Sequence, residues 1–255
     1  MVIQTELINK FQHAFNLHTN GELNKAELLY KKILKKNPSH FDTLRHLGIL
    51  YQDQQMFEIS ERYYLKAYKV NSEHFSINNN LGTIKFLQFK MDEALDFYKK
   101  AFKMNPRFVP VINNISAFYH RQFRDEECMK FSKLALSIEP SNLTSKVNYA
   151  KALTLSNKPK DAIKIFKQIL KVSPDANNYI NLGTSYRNIG ELENSYICFQ
   201  KALEMDENDA GAFFNMSASK LHKPDEKILY RFEKKLKLSK GLAYSDKGAI
   251  AFGLY

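Results

Sequence analysis

The stretch "AELLYKKILKKNP", residues 26–38, reads as an amphipathic helix ending on Asn-Pro, and it returns as "ALDFYKKAFKMNP" at 94–106 and "AIKIFKQILKVSP" at 162–174. Ala26, Ala94 and Ala162 stand 68 residues apart each time, and so do Pro38, Pro106 and Pro174. Weaker copies lie half-way between: "SERYYLKAYKVNS" (60–72), "CMKFSKLALSIEP" (128–140) and "SYICFQKALEMDE" (195–207). The small residues that open the six copies, Ala26, Ser60, Ala94, Cys128, Ala162 and Ser195, follow at intervals of 34, 34, 34, 34 and 33. A second series runs in phase: "HLGILY" (46–51), "NLGTIK" (80–85), "NISAFY" (114–119), "NYAKAL" (148–153), "NLGTSY" (181–186) and "NMSASK" (215–220). A fixed period of this length marks a stack of helix pairs, because one pair cannot cover its own apolar face and needs neighbours on both sides.

The residue types fit that role. Gly48, Gly82 and Gly183 carry no side chain where the first helix of a pair would press on the second, and Ala67, Ala101, Ala135 and Ala202 leave room from the other side. Tyr64, Tyr98, Phe166 and Phe199 would fill the space beyond. Gly21 and Gly190 fall in turns that need a left-handed residue. Pro38, Pro106, Pro140 and Pro174 stop the second helices. Helices are expected at about 5–19, 23–36, 40–53, 57–70, 74–87, 91–104, 108–121, 125–138, 142–155, 159–172, 176–188, 192–205, 209–221 and 225–239. A last apolar helix should follow, capped by Ser245 or Asp246.

The alternation of Leu-Gly and Tyr on one helix with Ala, an aromatic and Ala on the next, closed by Pro, resembles the tetratricopeptide repeat (TPR) family over roughly residues 5–238. Ser116 and Ala150 replace the Gly, and Cys128 replaces an Ala. The resemblance implies an all-α, right-handed superhelical solenoid of about six to seven units: 7–40, 41–74, 75–108, 109–142, 143–175, 176–209 and a degenerate 210–238. Residues 239–255 are then either a capping helix or the start of a connector to a further domain. "LSKGLAYSDKGAIAFGLY" is similar to the connector that follows the repeats in bacterial TPR–sulfotransferases.

Composition narrows the function. No apolar run approaches the ~18 residues that cross a bilayer, and "MVIQTELINKFQ" has no signal-peptide pattern. Cys128 and Cys198 sit inside apolar helical patterns and read as buried free thiols, which with the missing leader gives a cytoplasmic expectation. No phosphate loop, nucleophile elbow or paired His ligands are present, so neither an enzyme nor a cofactor or metal is expected. The net charge of +11 is carried mostly by Lys, with only seven Arg among 38 basic residues, and follows a codon bias toward Lys, Asn and Ile. Residues 220–247 concentrate nine Lys/Arg against four Asp/Glu, but no nucleic-acid motif accompanies them, which argues against nucleic acid as a partner.

One column carries more than packing. The residue before each Leu-Gly pair is His46, Asn80, Asn114, Asn148, Asn181 and Asn215. Asn is a poor helix former, yet an amide can hold both the C=O and the N–H of a bound peptide. The array is similar to the asparagine ladder of the O-linked N-acetylglucosamine transferases, which implies an extended peptide or protein held in a concave groove. The alternative is that these Asn bond to neighbouring helices or follow the repeat consensus. Arg45, Asn79, Thr83, Asn113, His120, Arg121, Lys151, Thr154, Thr184 and Arg187 should share that wall. The two-carboxylate clamp of chaperone-binding TPR domains is not reproduced, since Phe11 stands at the position of its first Lys. The reading is a peptide-binding scaffold, with the substrate-recruiting arm of a larger transferase as its rival and a basic solenoid contacting nucleic acid as a third alternative.

Overall fold

The computed structural model describes residues 2–219, 225–238 and 244–254, which form helices and short turns with no strand among them. The chain divides into two compact units, residues 1–118 and 119–255. The first unit contains α1 (Val2–Thr19), α2 (Leu23–Lys36), α3 (Phe41–Asp53), α4 (Phe57–Val70), α5 (Phe75–Leu87) and α6 (Met91–Met104). Helix α7 (Val109–Arg121) begins in it and ends in the second. The second unit continues with α8 (Asp125–Ile138), α9 (Leu143–Leu155), α10 (Pro159–Val172), α11 (Ala176–Arg187) and α12 (Leu192–Met205). It closes with α13 (Ala210–Ala218), α14 (Glu226–Lys237) and α15 (Tyr244–Leu254).

Consecutive helices pack as hairpins, α1 on α2, α3 on α4 and α5 on α6 in the first unit, α9 on α10 and α11 on α12 in the second. A Cβ added at Gly82 would stand 2.6 Å from Tyr98 Cδ1, and one at Gly183 would stand 2.7 Å from Phe199 Cε1. Gly48 meets Tyr64 in the same way. The rings are fully enclosed, and Ala67, Ala101, Ala135 and Ala202 are buried beside them. Ser60 closes the second pair by donating to the Gly48 carbonyl at 2.7 Å. Cys128 and Cys198 are buried free thiols, and burial pushes Cys198 up to about 11.

Six turns within pairs, among the described residues, use one device. The amide three residues past the helix, or four after α11, reaches back five residues: Glu22 to Leu17, Met56 to Tyr51, Lys90 to Lys85, Arg124 to Tyr119, Lys158 to Leu153 and Glu191 to Tyr186, at 2.8–3.1 Å. The residue before it must be left-handed. Gly21 and Gly190 supply that conformation as the sequence indicated, with φ +81° and +80°. Gln55, Phe89, Phe123 and Asn157 adopt it with φ +60°, +62°, +55° and +55° despite carrying a Cβ.

Caps define the other ends. Asn37, Asn71 and Asn105 each terminate a second helix, and their carboxamide oxygens accept the amides of Ser39, Glu73 and Arg107 at 3.2 Å. Histidines cap two first helices: His40 Nδ1 accepts from the Thr43 amide and His74 Nδ1 from the Ser76 amide, both at 3.2 Å. Asn142, Asp175 and Asp209 do the same for α9, α11 and α13.

At the C-terminal end, α15 already includes Ser245 and Asp246, so neither is the outside cap the sequence suggested. Ile250 is fully buried, Gly253 abuts the Phe213 ring, and Phe213 stacks on Phe232 at 4.1 Å. Residues 220–224 and 239–243 lie outside the described residues. With them go the expected end of the helix at 219–221 and part of the basic stretch.

Candidate peptide-binding face

The first helices of successive pairs touch one another, α1 with α3 and α3 with α5 in the first unit, α9 with α11 in the second. Within each unit they line one face. The Asn column follows it, from His46 to Asn114 in the first unit and from Asn148 to Asn215 in the second.

In the first unit, His46 is buried among Phe11, Phe15 and Tyr30, whose ring centroids lie 5.3, 5.2 and 6.2 Å away. Its Nε2 accepts from Arg45 Nη2 at 2.8 Å. Burial, then the charges of Arg45 and His18, push its pKa down to about 3, so the ring is neutral. Burial holds the Tyr30 hydroxyl protonated, up to about 12 against the opposing pull of Arg45, and that hydroxyl has no hydrogen-bond partner among the described residues. Asn79 is buried and accepts from Asn114 Nδ2 at 2.8 Å, and the same Nδ2 reaches Thr83 Oγ1 at 3.3 Å. Asn113 is likewise buried. Asn80 differs from both: it is half-buried, and its Nδ2 is enclosed without a partner among the described residues.

In the second unit, Asn148 is buried and Asn181 half-buried, and no internal hydrogen bond engages the Asn181 amide among the described residues. Thr154 Oγ1 and Ser185 Oγ meet at 3.1 Å and fix α9 against α11. Lys151 is half-buried, and burial lowers its pKa against the weaker pull of Cys128 and Asp175. Burial and then the Lys151 charge push His120 down to about 4. Arg187 Nη1 donates to Asn215 Oδ1 at 2.8 Å, Asn215 Nδ2 donates to the Gly211 carbonyl at 2.8 Å, and the guanidinium lies 5.9 Å from the Phe199 ring centre. Thr184 is half-buried, whereas Arg121 is exposed at the end of α7.

Two of these helix pairs match a known repeat. Residues 75–108 and 176–209 match the tetratricopeptide repeat family model. Solved structures share the fold across almost the whole chain. A tetratricopeptide repeat protein from Parabacteroides merdae superposes with a TM-score of 0.73 at 16% identity, covering 98% of this chain and 100% of that one. The hetero-tetramer Cut9–Hcn1 of the APC/C gives 0.78 at 16% identity, with 95% of this chain on 48% of that one. YrrB, a TPR protein with an unusual peptide-binding site, gives 0.53 at 16% identity over 75% of this chain and 98% of that one. No curated protein sequence matches the chain significantly.

Two features of these helix pairs escaped the sequence reading. Lys85 is buried between Glu61 at 2.9 Å and Glu93 at 2.6 Å, and Gln88 donates to Glu61 at 2.7 Å. Burial opposes its charge, yet the two carboxylates outweigh burial and its pKa is raised. The available signal was positional: Lys85 lies 34 residues after Tyr51, whose hydroxyl donates to Glu27 at 2.7 Å, and Glu61 lies 34 after Glu27. The second is the buried pair Asn78 and Asn178. Asn78 Nδ2 donates to the Ser72 and His74 carbonyls at 2.8 and 3.0 Å, and Asn178 Nδ2 to the Ser173 carbonyl at 3.4 Å. No group of three or more metal-ligating side chains is assembled among the described residues, and none of their helices is long and apolar enough to cross a membrane.

Proposed function

We propose that the protein is a TPR scaffold that holds an extended peptide segment of a partner protein along the first-helix faces, with column asparagines contacting the peptide backbone. The observation that carries this reading is the uncommitted amide chemistry of Asn80 and Asn181. A polar group enclosed without a partner is unfavourable by about 1–3 kcal/mol. Turned toward the groove, the half-buried Asn80 carboxamide would donate to a peptide carbonyl, and its oxygen would accept a peptide N–H. Asn79 and Thr83, tied to Asn114, act as the support that orients the face rather than as direct contacts. YrrB, with its unusual peptide-binding site, is a precedent for the fold in this use.

The test is binding of a randomised peptide library by wild type, by Asn80→Ala and by the double variant Asn148→Ala/Asn181→Ala, each checked for native helicity. Each lost amide should weaken binding by about 0.5–1.5 kcal/mol, to a similar degree for peptides of different side-chain sequence. Folded variants that capture the same peptides at undiminished strength would show that the column serves the fold alone.

A further inference from the structure

We infer that the second unit selects acidic segments: an Asp or Glu side chain of the bound peptide pairs with Lys151. This rests on the peptide-binding reading and adds a side-chain preference to it.

The 3.1 Å contact of Thr154 with Ser185 places those two residues at one level of α9 and α11. One turn earlier on each helix come Lys151, three residues before Thr154, and Asn181, four before Ser185. Asn148 lies a further turn back on the Lys151 stripe. An extended chain held by Asn148 and Asn181 therefore passes Lys151.

Lys151 is half-buried, and no hydrogen bond or ion pair joins its ammonium to a described residue. Two arginines differ: Arg187 in the second unit is bonded to Asn215, and Arg45 in the first is bonded to His46 and lies 3.7 Å from Asp42. His120 acts on Lys151 and offers no negative charge, and among the described residues the one carboxylate that acts on it is Asp175, outweighed by burial. A half-buried ammonium without a counter-ion is disfavoured, and an incoming carboxylate would relieve that. The net charge of +11 favours approach of an acidic segment.

The experiment selects a randomised peptide library on the full chain, on Lys151→Gln, on Lys151→Arg and on Asn148→Ala/Asn181→Ala. Peptides captured by wild type should be enriched in Asp and Glu, and Lys151→Arg should keep that enrichment. Lys151→Gln should still capture peptides but without acid preference. A selected Glu peptide should bind wild type about ten- to a hundredfold more tightly than its Gln counterpart, with the advantage shrinking at high salt. Thermal melts of Lys151→Gln and Lys151→Arg separate a folding defect from lost recognition. Capture without acid enrichment by wild type, or equal enrichment by Lys151→Gln, overturns this inference and leaves the scaffold reading standing. No capture by any form overturns both.

Discussion

The seam inside each helix pair and the face along the first helices follow opposite rules. In the seam one solution is repeated: Gly48 against Tyr64, Gly82 against Tyr98, Gly183 against Phe199, with every ring buried. Along the face the repeated Asn meets a different fate each time. Asn114 is bonded to Asn79, Asn215 to Arg187, and Asn181 to no side chain among the described residues. Seam positions are shared by two helices, so the volume at one dictates the volume at the other. Face positions border solvent and answer to no such constraint. The 34-residue period thus reflects packing, while the chemistry of the face varies beneath a constant residue type.

The sharpest way to break this contrast is Gly82→Leu. The Cβ alone would stand 2.6 Å from the Tyr98 ring, which is 2% exposed and has nowhere to go. Overpacking of this kind typically costs ~1–3 kcal/mol, and a whole Leu side chain against an enclosed ring belongs at or above the upper end of that range. Urea unfolding should show the loss. An unchanged midpoint would mean that the seam tolerates volume and that the repeated Gly has another cause.

Lys85 tests whether the seam margin obeys position or residue type. Lys85→Ala leaves Glu61 beside a vacated site and should cost about 2 kcal/mol, between the values for exposed and fully buried pairs. Lys85→Tyr should be tolerated within about 1 kcal/mol, because Tyr51 already donates to Glu27 in the equivalent place. Equal losses for both would show that the Glu61 and Glu93 carboxylates require a cation there.

Much of this architecture was legible from spacing alone. The expected helix 57–70 is α4, 91–104 is α6, and 192–205 is α12, because Gly, Ala and Pro recur where packing and chain reversal demand them. Four of the left-handed turns were not legible, since Phe89 and Phe123 adopt a conformation that their side chains disfavour. There the surrounding hydrogen bonds impose φ, and local propensity is overridden. The site was legible only as a column. Which Asn is engaged depends on the neighbour one period away, Asn79 for Asn114 and Arg187 for Asn215, and a single-column pattern does not carry that information.

Acid separates the two regions in another way. His46 has a folded-state pKa of about 3 against ~6.5 in the unfolded chain. Its neutral form is the one that folds, so its contribution is complete above pH ~6.5 and is lost as pH falls toward 3. At pH 5.5 the first unit should have lost about 1.4 kcal/mol through this group. His46→Asn, which installs the residue of the other copies, should flatten that part of the profile. A pH dependence that persists undiminished in His46→Asn would assign it to other groups, among them His120 and the capping His74, whose pKa burial also lowers.

The smallest effect is expected on the face itself, and its sign matters more than its size. Asn114→Ala removes the 2.8 Å donor to the buried Asn79 oxygen, and a net loss of about 1 kcal/mol follows from leaving that oxygen unpaired. Asn181→Ala removes no side-chain hydrogen bond among the described residues. It replaces a poor helix former by the best one, so the second unit should become more stable by up to ~0.7 kcal/mol. Thermal melts of the two single variants read the difference directly. A position where Ala stabilises the free protein is one where Asn does not serve the fold, and only a ligand then gives it work. If Asn181→Ala loses stability equal to that lost in Asn114→Ala, the Asn181 amide is structural, and the face then serves the fold in the same way that the seam does.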